Sequence, residues 1–477
     1  MEHKSITKRL VSILVLNSSA AIIFILLTQS AFGFEYEQLE REDFVLAAPQ
    51  GFGDRGNSWA WGMAYFNGKL YVSTNRHWRC VEIASIHNAF SIVPYPPDDP
   101  DIDCEADPDD LDLQAEIWSW DPISDIWTRV YQSPLSVEIP DSPGKFVARD
   151  IALRGMFIYT EPDGTEALYV SGMSTDALHE GVPPARILRS VDGINFNAVP
   201  MEPGTFLWDI GTASYRGMAS HDGRLFAVAG SIRGPGTLIE STEPWLGNNT
   251  FKQSVPTDWK VLEIASFNDY LYISISDREG YKIVKTDASG DLPYNFVTIV
   301  EKGGYKKRIP NREMLSMYVY NEMLYCGGSG MKSYFGAEMI RIHPDDSWDL
   351  VVGVPRDTPV GRKEPISGMR AGFNWPLNAH IWRFEEYDGR LYVTTFDIST
   401  IWKDQELMDN FLEKFMGFDF FVSSDGVHFD RIDHDGFEDM FNFGGRTMAA
   451  TPYGLFIGTA NYYYGLQIWR GTPAELK

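Results

Sequence analysis

Arginine is the side chain best placed to do chemistry in this sequence. Arg149, Arg216, Arg312 and Arg446 fall in segments leading into predicted strands, and Arg76, Arg233 and Arg278 fall in segments leaving them. A guanidinium offers paired hydrogen bonds to carboxylate, sulfate or phosphate. In a chain of formal net charge −25, several of them gathered at one place would mark a site for an anion. Polar neighbours in equivalent segments complete the set of ligand-binding candidates: Arg76, His77, Arg149, Tyr215, Arg216, Arg312, Arg446 and Asn461. The same arginines have a structural reading, in which each pairs with a nearby Asp or Glu and ties neighbouring elements together. Both readings stay open at this point.

Acid–base candidates are fewer. Asp150, Glu313 and Asp397 supply carboxyl groups, and His380 an imidazole able to move protons near neutrality. A glycosidase needs two carboxyls at a set separation, which sequence spacing does not give. There is no serine elbow, no glycine-rich phosphate loop and no set of equivalently placed histidines for iron. Two functions follow. One is binding of an acidic small molecule, glycan or protein partner. The other is a hydrolase, lyase or isomerase using carboxylates and histidine on a similar ligand.

Metal chemistry has one candidate and no other cofactor is called for. Residues 80–113 form an acidic insertion in which Asp101, Asp103, Glu105 and Asp112 echo the alternate-carboxylate spacing of a calcium loop. Ala106 stands where such a loop needs glycine, and a solvated acidic loop is the other reading. Cys80 and Cys104 flank this segment and are able to close it by a disulfide in an oxidising compartment. Cys326 lies within a strand pattern, as a buried thiol does.

The elements that position these residues come from a repeat. A turn, a leucine, an aromatic or small residue and alternating apolar positions recur around Leu70, Leu168, Leu225, Leu271, Leu324, Leu391 and Leu455. Asn67-Gly68, Asp222-Gly223 and Asp388-Gly389 supply the positive φ of a tight hairpin. Third strands follow, such as Glu116–Ser119, Arg186–Arg189 and Gln467–Arg470, and fourth strands such as Trp127–Val130. Four short strands per copy, seven times, predict an all-β, seven-bladed β-propeller. The last copy lacks its outer strand, and residues 34–45 are expected to supply it, closing the ring with N- and C-terminal segments in one blade. First strands then line a central channel, and the loops bearing the arginines share one mouth. Helical character is confined to Asp404–Phe415.

Two hairpins read Ser190-Val191-Asp192-Gly193-Ile194-Asn195-Phe196 and Ser423-Ser424-Asp425-Gly426-Val427-His428-Phe429. They resemble the Asp-box turn of sialidase-like secreted propellers, one residue short of its usual spacing. The chain from about residue 34 onward is similar to a group of uncharacterised bacterial exported propellers. That resemblance implies a fold and transfers no activity.

Residues 1–33 read as a signal peptide, with Lys4, Lys8 and Arg9 before an apolar run and small residues at Ala31 and Gly33. An uncleaved N-terminal anchor is the alternative, so a membrane is a partner only if the segment is retained. Residues 34–477 are expected to form one domain in the periplasm or outside the cell. The acidic charge repels phosphate backbones and argues against nucleic acid.

Overall fold

Asn67 and Gly68 take φ values of 49° and 77°, and Asp222 with Gly223, Asn268 with Asp269 and Asp388 with Gly389 repeat the pair of positive angles. That is the backbone twist a two-residue hairpin needs to join right-twisted strands. The computed structural model describes residues 37–90, 93–231, 235–306, 309–331, 336–403 and 413–473. Leu39–Thr472 forms one compact unit, and the remainder, Met1–Gln38 with Pro473–Lys477, lies almost wholly outside the described residues. The expected signal segment and most of the expected helix at 404–415 also fall outside them.

The fold is all-β and its strands pair antiparallel. Seven four-stranded units follow one another. Their first two strands are Asn57–Phe66 and Lys69–Arg76, Ala152–Thr160 and Glu166–Met173, Ser214–His221 and Arg224–Gly230, and Val261–Phe267 and Tyr270–Ile275. Met314–Tyr320 and Met323–Gly328, Asn378–Tyr387 and Arg390–Asp397, and Gly444–Thr451 and Gly454–Ala460 complete the series. First strands of successive units lie side by side, and Gly444–Thr451 lies beside Asn57–Phe66. The outer strand of the seventh unit comes from the other end of the chain: Phe44 pairs with Gly471 and Leu46 with Trp469.

A polar clasp recurs where the first strands begin. Asn57 Nδ2 donates to the Gly51 carbonyl at 3.0 Å and to Glu116 Oε2 at 2.9 Å. Asn378 does the same to Gly372 and Asp419, at 3.0 and 2.8 Å, and Asn442 to Gly436 and Gln467, at 2.9 and 2.7 Å. In each case a threonine hydroxyl (Thr74, Thr395 or Thr459) accepts the backbone N–H of the acid or amide that opens the third strand. The clasp satisfies loop carbonyls that would otherwise be buried unpaired. These asparagines are therefore fold chemistry.

The two Asp-box-like turns share one hydrogen-bond pattern. Asp192 Oδ1 accepts the N–H groups of Ile194 and Asn195, and Asp425 Oδ1 those of Val427 and His428, all at 2.8 Å. A side chain on Gly193 or Gly426 would collide with the hydroxyl of Tyr71 or Tyr325 from the preceding unit.

The acidic insertion departs from the expected irregular loop. It opens with a helix, Trp78–Phe90, a run free of glycine and proline whose Trp78, Cys80, Val81 and Ala84 are buried. Cys80 is disulfide-bonded to Cys104. Trp78 packs its ring 5.4 Å from Trp61 and 6.1 Å from Trp59, so the helix sits over the beginnings of first strands. Lys403 Nζ reaches Asp99 at 3.0 Å and Asp101 at 2.9 Å, tying the insertion to the sixth unit.

Candidate functional site

Every first strand carries an irregularity at the same height. Pairing with the second strand slips between Ala60 and Gly62, Leu153 and Gly155, Tyr215 and Met218, and Val261 and Glu263. It slips again between Met314 and Ser316, Ile381 and Arg383, and Gly445 and Thr447. A bulge leaves one residue unpaired and re-aims its side chain. The residues at these bulges are Trp61, Arg154, Arg216, Leu262, Leu315, Trp382 and Arg446. The position after each bulge faces the neighbouring unit, and in three units it is glycine. A Cβ on Gly62 would stand 3.0 Å from the backbone of Gly155, and one on Gly155 3.2 Å from the Arg216 carbonyl. In the fourth and sixth units that position holds Glu263 and Arg383 instead.

A cavity of about 360 Å³ lies at and just beyond the bulges, lined by Trp61, Arg154, Arg216, Glu263, Arg383 and Glu385 among others. Arg446 adjoins it, 4% exposed. Four guanidiniums thus converge. Their repulsion is softened by stacking: Arg154 lies 4.9 Å from the Trp61 ring, and Arg446 5.6 Å from Trp61 and 4.9 Å from Trp382. Arg154 Nη1 donates to Ser214 Oγ at 3.1 Å, and Arg383 Nε to the Arg446 carbonyl at 3.3 Å. Nε of Arg216 and both Nε and Nη1 of Arg446 are buried with no hydrogen-bond partner among the described residues.

The electrostatics are one-sided. Burial first, and then the charges of Arg383, Arg154 and Arg216, make the charged form of Arg446 costly. Burial raises Glu263, against the pull of Arg383, Arg216 and Arg446. A carboxylate in the cavity would offset the repulsion among these guanidiniums.

The structure divides the residues proposed from sequence. Arg216 and Arg446 meet at the cavity. His380 is close by, its ring 4.8 Å from Phe396, and the charges of Arg216 and Arg446 act on it. Burial drives its pKa down to about 3, so it is a neutral imidazole. Glu313 stands one residue before Met314, and its charge acts on Arg216. The remaining candidates lie outside this cavity, although Nη1 of Arg149 and the hydroxyl of Tyr215 are likewise buried without a hydrogen-bond partner among the described residues. Arg76 bridges Asp54 and Asp112 at 2.8 and 2.7 Å, and His77 continues that corner with a φ of 43°. Arg149 donates to the Pro184 carbonyl at 2.8 Å. Tyr215 is buried between the second and third units against Tyr159, Tyr169 and Leu207. Arg312 is exposed. Asn461 is buried and accepts the N–H groups of Tyr463 and Tyr464, each at 3.0 Å. Asp150 is held by Arg186, Tyr131 and Ser133.

This cavity lies among the first strands and not at the mouth of loops where the site was expected. The cavity lining runs from the bulges toward the hairpin turns and includes no residue of the loops leading into the first strands. Arg154, Arg383, Glu263 and Glu385 were missed because they fall inside strands. The parallel triplets Trp61-Gly62-Met63, Arg154-Gly155-Met156 and Arg216-Gly217-Met218 carry the signal that finds the first of them.

The calcium candidates do not converge. Asp101 takes the Tyr464 hydroxyl at 2.5 Å and Lys403, Asp112 takes Arg76, Asp103 lies 3.9 Å from Arg55, and Glu105 is exposed. Among the described residues no three His, Cys, Asp or Glu side chains are grouped to hold a metal ion. A larger groove of about 990 Å³ carries Lys260, Arg278, Lys282 and Arg312, but Asp258, Asp277, Glu279 and Glu301 match them in number. Its charge is balanced, so it offers an anion no net field.

Asp397 is buried, accepting from the Trp375 indole at 2.5 Å and the Ser399 N–H at 2.6 Å. Burial pushes it up to about 6 and Asp419, beside it, to about 8. Both values lie above the ordinary unfolded value of about 4, so the folded state holds protons the unfolded chain releases. Their contribution is fully present below about pH 4 and is lost as pH rises through about 6 and then about 8. Asp419→Asn is expected to flatten that decline. Its urea midpoint should exceed the native one at about pH 8 and converge with it at about pH 4; equal midpoints at both would refute the assignment.

No family model matches the chain, and no curated protein matches it. Among solved structures, it is similar to one in the crystal structure of a nidogen/laminin complex, at 10% identity and a TM-score of 0.33 over 65% of this chain and 81% of that one. A protein of unknown function from Dyadobacter fermentans aligns at 11% identity and 0.40, over 76% of this chain and 95% of the other. A puromycin-hydrolyzing peptidase of Mycobacterium tuberculosis aligns at 10% and 0.46, over 87% of this chain and 52% of that one.

Proposed function

We propose that this protein is a seven-bladed β-propeller that binds an anionic small molecule in its central channel. Seven four-stranded units, side-by-side first strands and an outer strand shared between the chain ends support the architecture. The observation that carries the function is the convergence of Arg154, Arg216 and Arg383 on one cavity beside the buried Arg446, with Nε of Arg216 and Nε and Nη1 of Arg446 lacking a hydrogen-bond partner among the described residues. Burying like charges together is costly, and an anion is what offsets it. The cavity volume suits a small organic acid rather than a folded partner.

Catalysis is the weaker reading. A base working at neutral pH needs a pKa near that pH; His380 is held far below it, while burial pushes Glu385, in the cavity lining, up to about 7. Asp150 and Asp397 are saturated by neighbours away from the cavity. The Cys80–Cys104 disulfide favours an oxidising compartment, hence the periplasm or the outside of the cell. No helix among the described residues is long and apolar enough to cross a membrane.

Calorimetric titration with citrate and phosphate tests the reading. Arg383→Gln is expected to weaken binding about tenfold or more, as loss of a charge-assisted pair does. Arg312→Gln, on the exposed surface, should leave it unchanged. The reverse order would return the site to the loops.

A further inference from the structure

The cavity has a second pole. Two residues beyond Arg383 on the same strand, Glu385 lines it together with Tyr318 and Phe157. Glu385 accepts the Ala450 N–H at 3.2 Å; burial first, with the like charge of Glu386 adding to it, pushes its pKa up to about 7, so a cation brought beside it would favour its ionised form. The Tyr318 oxygen accepts the Glu386 N–H at 2.9 Å, which leaves its own O–H to donate. Alternate residues of a strand share a face and stand about 7 Å apart. Arg383 and Glu385 thus give one face of the strand a cationic and an acidic position about 7 Å apart along the backbone, and Met156, Met218 and Phe157 add apolar surface to the same cavity.

Resting on the anion reading, we infer that the ligand is amphoteric: a small organic acid whose carboxylate meets the arginines and whose protonated amine meets Glu385. A plain dianion would fill the cationic position and set its second charge against an unpaired carboxylate, at a cost in a desolvated site. A hydroxy acid would satisfy geometry but forgo the ion pair.

The test compares ε-aminocaproate, adipate, ε-hydroxycaproate and caproate by calorimetric titration of the full-length protein and of Glu385→Gln. In the native protein ε-aminocaproate should bind about tenfold more tightly than adipate or ε-hydroxycaproate, the gain expected of one charge-assisted hydrogen bond. Glu385→Gln should erase that preference. Equal affinity for adipate or ε-hydroxycaproate, or a preference that survives Glu385→Gln, overturns the inference while leaving the anion site intact. Silence with every probe, caproate included, overturns the anion site and the inference with it.

Discussion

Replacing Arg446 by Met is expected to raise the melting temperature of the ligand-free protein and to abolish its stabilisation by carboxylates. Arg446 is 4% exposed, with Nε and Nη1 unpartnered, and lies among the like charges of Arg383, Arg154 and Arg216. What holds it is stacking on Trp59, Trp61 and Trp382, at 6.0, 5.6 and 4.9 Å. Such contacts contribute about 0.5–2 kcal/mol. Exchanging a whole buried ion pair for apolar side chains of similar volume is often neutral or stabilising by about 1–4 kcal/mol, and for Arg446 three like charges outweigh the one opposite charge, of Glu263, that acts on it. Methionine keeps the length, fills the aromatic slot and makes favourable sulfur–ring contacts. The two terms leave a net gain on the order of 1–2 kcal/mol. A saturating anion stabilises the native protein by RT ln(1 + [L]/Kd), about 2.7 kcal/mol at one hundred times Kd, and Arg446→Met should lose that increment. Scanning calorimetry with and without citrate reads both quantities. A melting temperature that falls in the ligand-free variant would make Arg446 a structural residue and remove the chief support for the site.

Most of the architecture was legible because it is written in short-range chemistry repeated along the chain. Asn67-Gly68 and its counterparts impose hairpins through their backbone angles, and alternation around Leu70 or Leu391 fixes which face is buried. Ser190 and Asp192, or Ser423 and Asp425, encode their turns within a few residues. The site was half legible. Arg216 and Arg446 were found as arginines near strand starts, yet a bulge, and not a loop, aims them, and a bulge has no residue signature of its own here: Trp61, Leu262 and Arg154 all occupy it. Arg76 and Asp150 resembled site residues because buried ion pairs use the same side chains as anion sites. Their partners Asp54, Asp112 and Arg186 lie 22 to 36 residues away, at separations where sequence carries no pairing rule. The helix Trp78–Phe90 was hidden for a related reason: its neighbours in the insertion are Asp- and Pro-rich, and its buried side, Trp78, Cys80, Val81 and Ala84, acquires meaning only against Trp59 and Trp61.

Asp150→Ala should cost about 3–5 kcal/mol, the usual result of removing one partner of a buried ion pair. Asp150 is fully buried, and Arg186 reaches it through Nε at 3.0 Å and Nη2 at 2.8 Å. Tyr131 and Ser133 donate to the same carboxylate at 3.0 and 3.1 Å. Alanine would leave a guanidinium and two hydroxyls without their acceptor, in a place water enters poorly. Asp150→Asn keeps the shape and removes the charge, so it should fall between alanine and the native protein. Replacing both partners by leucine should recover much of the loss, because no charge is then stranded. Urea unfolding of the single and double variants gives the coupling directly. Affinity for carboxylates should be unchanged in whichever variants remain folded, since Asp150 faces away from the arginine cavity. Were Asp150 an acid–base group in a reaction, asparagine would instead leave the unfolding midpoint in place and abolish turnover. Unfolding midpoints that stay in place in both single variants would refute the structural role assigned to this carboxylate.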